Sequence, residues 1–84
     1  MFYMSFCDPD RPEGTQFLGA IMTYAPDFPS AIMKTHALDI NPGGEVAGLE
    51  VPDDLGVPEE FIDRLLSKDE VDRFDAVMDA RKTV

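Results

Sequence analysis

The chain has 84 residues, enough for one small domain near the lower limit of a self-sufficient core, and an apolar fraction of 44% argues against intrinsic disorder. Its 17 acidic and 7 basic residues leave a net charge of −10, which repels phosphate backbones and anionic membrane surfaces and so disfavours direct binding to nucleic acid or lipid. No apolar run is long enough to span a bilayer, no basic segment leading into an apolar one opens the chain, and a lone cysteine, Cys7, suits a reducing compartment; the expectation is a cytoplasmic protein.

Residues 2–7, FYMSFC, alternate: Phe2, Met4 and Phe6 point one way and Tyr3, Ser5 and Cys7 the other, which predicts a strand with one strongly apolar face. DPDRPEGT follows, a loop by its two prolines and glycine. QFLGAIMTYA reads as a second strand, with Phe17 and Ile21 on one face and Leu18, Met22 and Tyr24 on the other. Gly19 would weaken its interior unless another group approaches closely there. Asp27 is placed to cap a helix that carries Pro29 in its first turn. On a helical wheel Phe28, Ala31, Ile32, Thr35 and Leu38 share a face; Met33, Lys34 and Ala37 face away, and His36 lies on the flank.

The helix must stop before Pro42, since the residue ahead of a proline avoids helical backbone. In NPGGEV the glycines then follow a helix and precede a strand, EVAGLEV. A phosphate-cradling loop has the reverse order, strand then glycines then helix, and would not place Glu45 beside an anion. The loop therefore reads as a turn that uses glycine for positive φ near the helix end. Further on, PEEFIDRLL from Pro58 predicts a short helix burying Phe61, Ile62, Leu65 and Leu66. SKDE from Ser67 reads as a capping box opening a last helix with Val71, Phe74, Val77 and Met78 as its apolar stripe. The order is β-β-α-β-α-α: an α+β fold with a small, mainly antiparallel three-stranded sheet in the order 2-1-3 and helices packed on it. The chain reads as a single domain over 1–84, with a ββαβ core in 1–52 and an acidic helical region in 53–84.

The opening FYMSFCDPDRPEGTQFLGA, the helix ending HALDI and the NPGGEV loop together resemble a family of small bacterial and phage proteins. The likeness spans roughly residues 2–52 and leaves out the terminal helical region. It implies one compact domain and no particular chemistry.

Candidate sites are few. Cys7, His36 and Asp39 have the residue types of a cysteine-nucleophile triad, but no motif brings them together. Asp8, Asp10 and Glu13 share a loop whose prolines and Arg11 suit an acidic turn better than a calcium site. No cofactor or metal is expected. The acids of the C-terminal region are the stronger signal. Asp72, Asp75 and Asp79 recur along one stripe of the last helix, neighbours on such a stripe lying about 5–6 Å apart at Cβ. Glu59, Glu60 and Asp63 precede them, and Lys68, Arg73 and Lys82 are the nearby cations. These six acids are the candidate partner-binding residues. The first reading is a non-enzymatic acidic domain, of phage or prophage derivation, that binds a protein partner. One alternative is a nucleic-acid mimic that occupies a basic surface of a host protein; another is a small enzyme using Cys7 or His36. Apolar residues on both faces of the second strand also lead to the expectation of a homodimer, with Phe17, Ile21, Leu49 and Val51 seeking cover.

Overall fold

A computed structural model describes residues 1–82, with side chains as far as residue 80. It is an α+β fold. Three strands, β1 (Phe2–Cys7), β2 (Phe17–Thr23) and β3 (Glu45–Glu50), form one sheet in the order β2-β1-β3; β1 is antiparallel to both neighbours. Two helices, α1 (Phe28–Ala37) and α2 (Lys68–Lys82), accompany it. Each face of the sheet carries its own apolar cluster. Phe2, Met4 and Phe6 pack with Ile21 and with Ala31 of α1. On the other side Ala20 and Met22 pack with Phe61, Leu66, Val71 and Phe74. Both faces of β2 are thus covered from within the chain. Ile21, expected to seek outside cover, is fully buried beneath α1.

The side chains of β2 depart from simple alternation. Phe17, not Leu18, joins the cluster around Met22, while Leu18 joins Ile21 on the α1 side. The register explains the exchange: Phe6 pairs with Gly19 but Cys7 pairs with Phe17, so Leu18 is an extra residue in the ladder. A bulge of this kind inverts the facing of everything beyond it. Gly19 makes it possible, with φ at +140°. A β-carbon there would lie 2.6 Å from Leu65 Cδ1 and 2.9 Å from Leu66 O, which is the close approach that a glycine inside a strand implies.

α1 begins as the sequence indicates. Asp27 is extended and its carboxylate accepts from Ser30 N–H at 2.8 Å, with Pro29 in the first turn. Its end differs from expectation. Asp39, at φ +58°, takes the left-handed position; Ile40 N–H donates to Thr35 O and Asp39 N–H to His36 O, both at 3.0 Å. This Schellman pattern satisfies the last carbonyls before the glycines are reached. Leu38, on the buried face of the wheel, is the C-cap residue and is exposed. Gly43 and Gly44 shape a separate loop. Asn41 organises it, accepting from Gly43 N–H at 2.8 Å and donating to Thr35 Oγ1 at 3.0 Å. A β-carbon on Gly44 would stand 2.4 Å from Cys7 O, so this glycine lets the loop cross close over the end of β1.

The largest difference lies in residues 58–66. The expected helix is a single 3-10 turn, Glu59–Phe61, followed by extended chain. Leu66 and Ala20 exchange backbone hydrogen bonds of 2.7 and 3.1 Å, and Asp63 N–H donates to Met22 O at 2.9 Å. The outer edge of β2 needs partners for its backbone groups, and an extended segment supplies them where a helix has none to give. Asp63 at φ +58° marks the break. α2 then starts at the capping box: Glu70 N–H donates to Ser67 Oγ, and Ser67 N–H to the Glu70 carboxylate, both at 3.2 Å.

Candidate functional site

The six acids singled out from the sequence divide into three groups: Asp63 and Asp72 are paired within the chain, Glu59 and Glu60 are exposed, and Asp75 and Asp79 line a cavity. Asp63 serves the fold. Its carboxylate accepts from Thr23 Oγ1 at 2.6 Å and stands 3.6 Å from Lys34 Nζ. Thr23 is fully buried, and a buried hydroxyl without a partner costs about 1–3 kcal/mol. Asp72 is neutralised by Lys68 at 2.7 Å, and the same carboxylate holds the Lys68 ammonium above its ordinary range. Glu59 and Glu60 are exposed on the 3-10 turn.

Asp75 and Asp79 are different. Both border a cavity of about 300 Å3 whose other walls are Leu55, Phe74 and Met78. Among the described residues neither has a cation within ion-pair distance. The cavity follows from two elements: α2 presents Phe74, Asp75, Met78 and Asp79 on adjoining turns, and the loop after β3 lays Leu55 across them. Phe74 is anchored from behind by Phe61, edge to face at 5.4 Å between centroids. Tyr3 lies on the same side of the sheet; burial first, and the Asp75 carboxylate second, push its phenol above the ordinary value. Leu55 is the residue that sequence reasoning missed, since nothing in PDDLGV marks it as facing a helix.

Of the cations expected to soften the acidic stripe, Lys68 does so at Asp72, with a weaker influence from Asp75, and Arg73 does not pair with the stripe among the described residues. Arg73 sits over the Phe61 ring, 5.2 Å from its centroid, and Lys68 is committed to Asp72. The side chain of Lys82 lies outside the described residues.

The catalytic and metal candidates are not assembled. Cys7 is half-buried on the face of the sheet turned away from α1, between Phe17 and Glu45. His36 and Asp39 are exposed on and after α1. In the first loop Asp8 accepts from Asp10 N–H at 3.0 Å and pairs with Arg11 at 3.7 Å, the contacts of a turn. Among the described residues no three His, Cys, Asp or Glu side chains could hold one metal ion, and no helix is long and apolar enough to cross a membrane.

No family model matches this chain, and no curated protein or solved structure matches it. The functional reading therefore rests on the geometry above.

Proposed function

We propose that this chain is a non-enzymatic acidic interaction domain, of phage or prophage derivation, that binds a protein partner in the cytoplasm. The observation that carries the reading is the cavity on α2: an apolar floor of Leu55, Phe74 and Met78 with two carboxylates, Asp75 and Asp79, that have no cation within ion-pair distance among the described residues. Such a site suits a lysine or arginine side chain, whose aliphatic stem lies on the floor while its charged head meets the carboxylates. The partner is thus a protein segment that is basic at the contact point. The origin rests on the resemblance over residues 2–52.

The nucleic-acid mimic has less support. A mimic needs a run of free negative charge, and the Lys68–Asp72 pair interrupts the stripe at its first position. An enzyme using Cys7 or His36 has less still, because the two lie on different layers of the fold. Both bindings to a basic surface weaken with salt, but a mimic engaging many charges weakens far more steeply than a single anchored side chain.

The test is affinity capture from cells that carry the protein, read by mass spectrometry, with the wild-type chain, the Asp75→Asn/Asp79→Asn double variant and Asp72→Asn as control. A partner retained by wild type and Asp72→Asn but lost by the double variant supports the reading. A partner retained equally by all three removes the cavity from the interface.

A further inference from the structure

The two edges of the sheet are finished differently. Residues 62–66 cover the outer side of β2, whereas β3 ends the sheet on the other side. Which β3 groups are free follows from the register. Val51 N–H donates to Met1 O at 2.9 Å, and Leu49, Ala47 and Glu45 sit opposite Tyr3, Ser5 and Cys7. In an antiparallel ladder bonded pairs alternate with non-bonded ones, so these odd-numbered residues turn their backbone groups towards β1. Val46, Gly48 and Glu50 turn theirs outward. Five of the six β3 residues are exposed, Leu49 to 62%. The stretch VAGL carries no proline, lysine or bulge to blunt this edge.

We propose that a second copy of this chain pairs antiparallel with β3, Gly48 against Gly48, and joins the two three-stranded sheets into one continuous sheet. Two features of the strand select a second copy as occupant. The first is that the free groups match themselves. With Gly48 opposite its own copy, Val46 of one chain faces Glu50 of the other, so all three outward residues exchange hydrogen bonds. A shift of two residues in one direction sets an outward group against Gly44, outside the strand. In the other direction it sets one against Pro52, which has no N–H. The second is charge. Each copy carries −10, yet in this register Glu45 faces Val51 and Glu50 faces Val46, so no carboxylate stands directly across from another. On the face turned away from α1, Leu49 comes to lie against Ala47 of the second copy, which covers the exposed leucine. The residues involved are separate from those lining the cavity on α2, so the pairing stands independently of the proposed function.

The register is tested by disulfide capture. Ala47→Cys and Leu49→Cys are made separately in a Cys7→Ser background; both positions are exposed, and circular dichroism verifies the fold. In the proposed dimer Ala47 and Leu49 of the two copies form a non-bonded pair with β-carbons roughly 4.5–5.5 Å apart, near bridging distance. An equimolar mixture should cross-link well beyond either variant alone, and more so at high salt, where repulsion between the acidic chains is screened. Equal cross-linking in the mixture and in the separate samples, or none, overturns the register. Sedimentation equilibrium supplies a second measurement. Glu50→Pro removes one outward N–H without touching the ladder to β1, and should weaken self-association at least about tenfold relative to the unsubstituted chain. An unsubstituted chain that stays monomeric at high micromolar concentration in low and high salt, or association that Glu50→Pro leaves unchanged, overturns the proposal.

Discussion

Gly43 and Gly44 offer a controlled separation of two effects that glycine loops usually confound. Both have positive φ, +81° and +75°, so an alanine at either position enters the left-handed region at a cost of about 1–2 kcal/mol. Only their surroundings differ. A β-carbon on Gly43 meets nothing within 4 Å, whereas one on Gly44 meets Cys7 O at 2.4 Å and Leu18 Cδ1 at 2.8 Å. Leu18 can yield by changing rotamer. The Cys7 carbonyl belongs to the end of β1, so relief there shifts backbone, and overpacking of this kind costs about 1–3 kcal/mol more. Gly43→Ala should therefore lose about 1–2 kcal/mol and Gly44→Ala about 2–5 kcal/mol. At roughly 0.05–0.15 kcal/mol per residue the whole domain has only about 4–13 kcal/mol to lose. Urea denaturation with matched m-values measures the difference. Thermal melting should agree, at about 4–8 °C per kcal/mol for a chain of this size. Equal losses at the two positions, or a larger loss at Gly43, would refute the assignment of the Cys7 contact as the deciding feature.

Two further outcomes follow from the termini of the helices. Ser67→Ala should cost about 1 kcal/mol by leaving a first-turn N–H of α2 without its partner, with helical content falling in circular dichroism; no change would mean that the cap contributes nothing to the docking of α2. Asp27 and Glu70 both have carboxyls held below their ordinary range, chiefly by hydrogen bonds from Ser30 and Ser67 respectively. A depressed folded pKa contributes stability that is present above the unfolded value and lost as the pH falls through the folded one, so wild type should be the more stable at neutral pH and should lose more stability between neutral and acidic pH than Asp27→Asn/Glu70→Gln, measured by urea denaturation at both pH values.

What the sequence made legible was local. The alternation of β1, the Asp27 and Pro29 pair opening α1, the Ser67 to Glu70 capping box and the strand order 2-1-3 each follow from contacts a few residues apart or from one connection rule. The facing of Phe17 and Leu18 was not legible. The bulge that exchanges them depends on Gly19 passing beneath Leu65 and Leu66, almost fifty residues away along the chain. The residue that ends α1 was not legible for a related reason: Gly43 and Gly44 do take positive φ as expected, but the Schellman bonds fall earlier, at Asp39, where an aspartate tolerates that backbone.

Residues 58–66 show the same limit with a direct bearing on function. PEEFIDRLL has helical spacing, and an isolated helix would have placed Glu59, Glu60 and Asp63 together as a second acidic surface. The unpaired edge of β2 is the competing demand. Once Leu66 and Asp63 bond to Ala20 and Met22, the helix is impossible, and Asp63 is drawn inward to the Thr23 hydroxyl. Asp72 is likewise removed from the free charge by Lys68, one turn earlier on the same helix. The stripe of acids was a correct pattern, but a charge pattern does not say which members are already answered within the chain. Among the described residues Asp75 and Asp79 remain because Arg73, two positions before Asp75, stacks on Phe61 instead, and because Leu55 arrives from the loop after β3 to give them an apolar floor. A candidate site on so acidic a surface is therefore defined by subtraction: the carboxylates that fold and helix capping do not use, set beside apolar surface that a partner side chain can cover.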